Sequence, residues 1–133
     1  AEMHQDWPTQ FLNWTTPDES NKILSAFYGE ELLSKQSTGF LWKIMTETAT
    51  GKKRIKGQLP EGTVVGHKTG SSGTNEKGIT AAVNNIGIVS LTNGKHFTIS
   101  VFFFYSTEKL ETNEKIISDI SKLAWDYFLN KKD

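Results

Sequence analysis

The sequence predicts an α+β fold in the order helix, helix, three antiparallel strands, helix. Three observations carry this expectation. Apolar residues recur at helical spacing before residue 50 and again after residue 110. Between residues 63 and 104 the pattern changes to strand-like runs broken by glycine-rich or asparagine-rich turns. Asn93-Gly94 is a strong short hairpin signal between the last two runs, so those strands run antiparallel.

Residues 1–15 lack a steady period and read as an irregular loop with aromatic anchors. Thr16-Pro17-Asp18-Glu19 starts a helix: Thr16 caps it, Pro17 suits its first position, and Glu19 can reach back to the cap. Ile23, Leu24 and Phe27 share its apolar face, and Gly29 ends it. A second helix is expected from about Ser37, with Phe40, Leu41, Ile44 and Met45 on one face. Lys52, Lys53, Arg54 and Lys56 form a basic cluster, read as a solvated short helix, before Gly57 and Pro60.

Strands follow over 63–69, 79–91 and 97–104, with a Gly/Ser-rich loop over 70–78. The second half of the last strand is apolar throughout, which predicts cover on both faces. Ile116, Ile117, Ile120, Leu123, Ala124, Tyr127 and Phe128 then define a C-terminal helix. Thr112 or Asn113 is its expected cap, and Lys131-Lys132 suits its negative end. The start inside an irregular segment and the open edge of the first strand predict the C-terminal part of something larger.

Composition narrows the function. Fifteen basic residues balance fifteen acidic ones, so no overall field favours nucleic acid or anionic lipid. Four Trp and eight Phe argue for a packed core. The absence of cysteine excludes thiolate metal sites, disulfides and cysteine nucleophiles. No apolar run approaches the roughly 18 residues of a membrane span. The start of the chain shows no basic and apolar leader pattern. His4, His67 and His96 show no metal-ligand spacing and read as surface or loop imidazoles. No metal or other cofactor is expected.

Lys68-Thr69-Gly70 at a strand end is the strongest chemical signal. The ammonium supplies charge, the hydroxyl a donor, and the glycine a close backbone approach, which together suit an anion. Ser71 and Ser72 add donors. A phosphate-binding loop is excluded, because His67 stands where its second glycine would be and a strand follows. Ser106-Thr107-Glu108-Lys109 matches Ser-x-x-Lys by letters but reads as a surface turn rather than an activated nucleophile. Arg54 can act as a local carboxylate clamp.

An ordered set of motifs resembles the C-terminal half of a class A serine β-lactamase, and is most similar to its extended-spectrum, PER-like branch. Glu2-Met3-His4 through Asn13-Trp14 resembles that family's Ω-loop. Trp42 to Thr48, then Thr50-Gly51 and Arg54, resembles the helical segment ahead of its sheet. Thr63 to Gly70 resembles its Lys-Thr-Gly strand, and Asn84 to Ile88 the strand after it. The resemblance implies an Ω-loop-like segment over 1–15, a helical segment over 16–60, and an antiparallel sheet with C-terminal helix over 61–133. All three would belong to one larger arrangement whose N-terminal part is absent from this chain.

What the resemblance implies for chemistry is hydrolysis of β-lactam antibiotics through a serine acyl-enzyme, in a periplasmic or secreted bacterial protein. Lys68 would bind the substrate carboxylate, with Thr69, Gly70, Ser71 and Arg54 around it. The Ser71 backbone N–H would be an oxyanion donor. His4 would stand at the deacylating-water position, Glu2 would be a structural acid, and the general base would precede Ala1. The Ser-x-x-Lys nucleophile motif and the Ser-Asp-Asn loop lie N-terminal to this region in the family. The partners are then a β-lactam substrate and the missing N-terminal part, and the chain alone should be inactive. The runner-up is a penicillin-binding DD-peptidase or a non-hydrolytic β-lactam sensor, which would hold its acyl adduct for longer.

Overall fold

The computed structural model describes residues 6–131. After a single 3-10 turn at Pro8–Phe11, helix α1 spans Pro17–Tyr28. Its start follows local chemistry: Thr16 Oγ1 accepts the Glu19 N–H at 3.1 Å. The Glu19 carboxylate turns to Lys22 at 2.7 Å rather than back to the cap. Gly29 ends the helix, and Ser20, Leu24 and Phe27 face inward.

Helix α2 spans Lys35–Glu47 and starts earlier than expected, because Ser34 Oγ accepts the Ser37 N–H at 3.2 Å. The expected apolar face is also corrected. Met45 is buried, but Leu41 and Ile44 are exposed, and Phe40 is 67% exposed. The helix turns a different stripe, Thr38, Trp42 and Met45, toward the sheet.

The sheet is antiparallel, in the order β1 (Val65–Ser71), β2 (Thr80–Ser90), β3 (His96–Ser106). The first strand starts two residues later than the pattern suggested, because the Thr63 N–H closes a turn onto the Pro60 carbonyl at 3.1 Å. Lys68-Thr69-Gly70 therefore lies inside β1, one residue short of its end. Between β2 and β3, the Leu91 N–H donates to the Lys95 carbonyl and the Gly94 N–H to the Leu91 carbonyl. This makes a three-residue loop with Gly94 in the left-handed region, not a two-residue Asn-Gly turn.

Two apolar clusters hold the layers together. On one face, Leu24, Phe27 and Met45 of α1 and α2 pack on Ile88. On the other, Val65, Val83, Val89, Phe97 and Ile99 pack against Ile117 and Trp125 of α3 (Leu110–Asn130) and against Ile55. Burying such side chains stabilises by about 1.5–3 kcal/mol each. The far end of β3 escapes this sandwich: Phe104 is 69% exposed and Tyr105 is also exposed, so the expected two-sided cover stops short of it. There Phe11 stacks on Tyr105 and meets Phe104 edge-on.

Helix α3 corrects two further expectations. Lys109 stands at its N-cap without a side-chain bond, and Asn113 is buried, accepting from Ser106 Oγ at 2.9 Å. Its inward stripe is Asn113, Ile117, Ser118, Ser121 and Trp125, while Ile116, Ile120, Leu123, Tyr127 and Phe128 are exposed. Small serines win inward positions because the 51–59 turns press closely: a side chain at Gly57 would stand 2.7 Å from Ser118 Oγ. Lys132, expected at the helix end, lies outside the described residues.

Candidate active site

Backbone alternation decides what β1 presents. The Ser72 N–H donates to the Ala82 carbonyl, and the Ser90 N–H to the Val64 carbonyl. The ladder between them is unbroken, so residues 66, 68 and 70 bond β2 through their backbones. The backbones of His67, Thr69 and Ser71 point the other way. The Ser71 N–H is thus directed at the free edge of the sheet.

Side chains alternate across the same edge. Lys68 is exposed on the face shared with α1 and α2, and its ammonium folds back onto the Thr69 carbonyl. Thr69 and Ser71 lie on the α3 face. Thr69 Oγ1 is 3.3 Å from Thr50 Oγ1, which is 3.1 Å from Thr48 Oγ1. Gly51 permits this approach. Its φ is +66°, and an added Cβ would meet Thr69 Cγ2 at 2.3 Å.

Arg54 is the centre of the site's underside. The expected solvated helix over 52–56 is a run of turns instead, and Arg54 is only 5% exposed, while Lys52 and Lys53 are exposed. Nε donates to Glu114 Oε1 at 3.2 Å. Nη1 donates to the carbonyls of Gly70 at 3.0 Å and Asn84 at 2.8 Å, and Nη2 to Ser71 Oγ at 2.7 Å. These bonds take four of the guanidinium's five N–H groups and leave one on Nη2. Arg54 is therefore a structural pin beneath the edge as well as a cation beside it, and Ser71, accepting from it, keeps its own O–H to donate.

His67 corrects the surface-imidazole expectation. It is 1% exposed and its Nδ1 lies 3.1 Å from Asn85 Nδ2. Burial, then the nearby charge of Lys56, with Arg54 and Lys68 adding to it, push its pKa down to about 4. His96 is exposed, with its ring against Tyr28. His4 and Glu2 lie outside the described residues. Ser106 is buried and bonded to Asn113, and the Glu108 N–H donates to its Oγ, so it caps a turn and is no activated nucleophile.

Beside Gly70 and Ser71 opens a cleft of ≈ 770 Å³, walled by Phe11, Trp14, Asn84 and Phe104 among others. Its size is that of a small-molecule site. Among the described residues no cluster of His, Asp or Glu could hold a metal, and no helix is long and apolar enough to cross a membrane. Sequence reasoning missed Glu114, Asn85 and Thr50. Asn85 carried a signal, an amide inside an apolar run; Glu114, 60 residues from Arg54, carried none.

The sequence and the architecture are matched elsewhere. Residues 2–128 match the model of the Beta-lactamase enzyme family. The β-lactamase VEB-1 of Pseudomonas aeruginosa is 55% identical over 132 residues, which is 98% of this chain and 44% of that protein. The chain belongs to the class A β-lactamase family. The extended-spectrum β-lactamase PER-1 of Pseudomonas aeruginosa is 44% identical over 131 residues, 98% of this chain and 42% of its own length. The crystal structure of the TLA-1 extended-spectrum β-lactamase superposes with a TM-score of 0.95 at 57% identity, covering 97% of this chain and 47% of that one. The chain thus spans less than half the length of these relatives.

Proposed function

We propose that this chain supplies the carboxylate-binding and oxyanion side of a class A β-lactamase site. One observation carries the reading: Lys68, Thr69 and the Ser71 N–H converge on one free strand edge, backed by the buried Arg54. An anion at that edge meets an ammonium, two hydroxyls and one guanidinium N–H. A carbonyl oxygen that becomes an oxyanion beside it meets the Ser71 N–H.

In the complete enzyme a serine from outside this chain attacks the lactam carbonyl. The carbonyl–nitrogen bond breaks, and the ring nitrogen takes a proton. Water then attacks the resulting ester, releasing the opened product and restoring the serine. Lys68 and the Thr69 and Ser71 hydroxyls hold the substrate carboxylate throughout. Arg54 fixes Gly70 and Ser71 in place and adds charge. The aromatic-walled cleft gives the rest of the substrate an apolar surface.

The finer assignments belong to the same proposal. Lys68-Thr69-Gly70 is the family's Lys-Thr-Gly strand, and residues 1–15 are its Ω-loop segment, with His4 at the water-holding position and Glu2 a structural acid. Residues 16–60 and 61–133 complete one side of a larger arrangement. The remainder of the enzyme covers the exposed apolar faces of α2 and α3, where Phe40 and Leu123 stand in solvent. The protein works in the periplasm or outside the cell, where its substrates arrive.

The test is the lifetime of the acyl adduct in the complete protein. Mass spectrometry after mixing with a penicillin should show an adduct that clears rapidly as product accumulates. An adduct that persists would replace this reading with a peptidase or a sensor.

A further inference from the structure

Beneath Lys68 lies a buried polar pair that the catalytic reading leaves unused. Asn85 is 0% exposed, and with His67 it occupies the α3 side of the sheet. Asn85 Nδ2 is 2.9 Å from the Lys68 carbonyl oxygen, 3.1 Å from His67 Nδ1 and 3.3 Å from the Ile86 carbonyl oxygen. Its Oδ1 accepts the Ile55 N–H at 3.4 Å. The amide therefore ties β1, β2 and the 51–59 turns at one point.

The hydrogen bonds fix the imidazole's form. Two carbonyls lie within reach of the Asn85 nitrogen, so it is the NH₂ end. Its two N–H groups serve the two nearest acceptors, the Lys68 carbonyl and His67 Nδ1, and since an amide nitrogen accepts nothing, Nδ1 is the acceptor. The ring is neutral, with its proton on Nε2. Space for the ring comes from Gly87 opposite it in the ladder, where a Cβ would stand 3.0 Å from His67 Cβ. A charged imidazole here would add a cation among Lys56, Arg54 and Lys68.

The carbonyls of Lys68 and Gly70 both point between β1 and β2, and each receives a second, buried donor: Asn85 for Lys68, Arg54 for Gly70. Arg54 holds the oxyanion end of the edge. Nothing but Asn85, steadied by His67, holds the ammonium end in the same way among the described side chains. We propose that His67 and Asn85 are a positioning pair that sets where Lys68 meets the substrate carboxylate. This rests on the reading of Lys68 as the carboxylate anchor. The pair touches no substrate; it acts through the Lys68 backbone.

The two roles, positioning and mere support, separate kinetically. A loosened fold lowers the amount of active enzyme and hence the apparent kcat, with KM unchanged. A displaced anchor weakens a contact made in ground state and transition state alike, and so raises KM. In the complete enzyme, His67→Leu, His67→Gln and Lys68→Ala are compared on a carboxylate-bearing cephalosporin, with the folded fraction of each set by thermal melting. His67→Leu should raise KM about tenfold while kcat stays within about threefold. His67→Gln, whose Oε1 can accept from Asn85, should recover most of that loss. A native KM in His67→Leu, beside a crippled Lys68→Ala, overturns the positioning role and leaves the proposed function standing. An undiminished kcat/KM in Lys68→Ala overturns the anchor reading and the positioning role together. Should His67→Leu fail to fold, Asn85→Ser removes the donor to Lys68 and is read the same way.

Discussion

Arg54 Nε lies 3.2 Å from Glu114 Oε1, and both side chains are largely shut away from solvent, at 6% and 15% exposure. The pair joins the turns before the sheet to the helix after it. Its cation reaches the Gly70 carbonyl and Ser71 Oγ on the far side.

Breaking this pair from the acidic side should be costly. Glu114→Ala leaves a buried guanidinium without its counter-charge, and should lower stability by about 3–5 kcal/mol. Urea unfolding measures it. Arg54→Ala should also destabilise, since it strips donors from two carbonyls and a hydroxyl, so its effect on KM must be read on folded protein. Lys52→Ala and Lys53→Ala, at exposed positions, should change stability by under about 0.5 kcal/mol. Equal losses at all three cluster positions would contradict the pin.

Lys68→Ala in the complete enzyme should lower kcat/KM by roughly 10²-fold or more, the scale of a charge-assisted contact in a preorganised site. Lys68→Arg should keep part of the activity as a bulkier, forked cation. Steady-state kinetics on a cephalosporin decides it, and native kinetics in the Ala variant would make Lys68 a plain solvated side chain.

His67 makes stability depend on pH in a defined direction. Its pKa falls from the ordinary 6.5 to about 4 in the folded protein, first through burial and then through Lys56. The unfolded chain takes up the proton first as pH drops. The contribution is full above about pH 6.5 and is lost progressively down to about pH 4, in total about 3 kcal/mol. Unfolding measured at pH 7 and pH 4.5 should show about 2 kcal/mol less acid loss in His67→Gln than in the native protein. Identical pH profiles would mean that His67 is not buried neutral.

The 133-residue chain by itself should not hydrolyse a chromogenic cephalosporin, because its one Ser-x-x-Lys match places Ser106 in a buried turn. Ser106→Ala should instead weaken the link to Asn113 and lower stability by about 1 kcal/mol. Turnover that depends on Ser106 would refute this.

Elements set by local chemistry were legible in the sequence. Helix α1 starts at Pro17 and stops before Gly29 because Thr16, Pro17 and Gly29 act within one turn of the chain. The Lys-Thr-Gly edge was legible for the same reason: alternation along a strand is a local rule. What faces inward on α2 and α3 was not. Met45 is buried and Phe40 is not, and Ser121 displaces Ile120, because burial is decided by the neighbour that arrives from elsewhere. Arg54 was recognisable as a cation at the site. Its role as a pin was not, since Glu114, Asn84 and Ser71 reach it only in the folded chain.

The salt bridge between Arg54 and Glu114 also orders events in time. A ribosome makes the Lys68 edge well before it makes residue 114, and α3 emerges after every other element described. Until that helix docks, the Arg54 guanidinium has no Glu114 counter-charge, and only its bonds to Gly70, Asn84 and Ser71 hold it beneath the edge. A nascent chain, or one truncated before α3, therefore carries the proposed anion site with its pin uncompensated. The buried charge pair beneath the proposed site is complete only once α3 seals against the sheet.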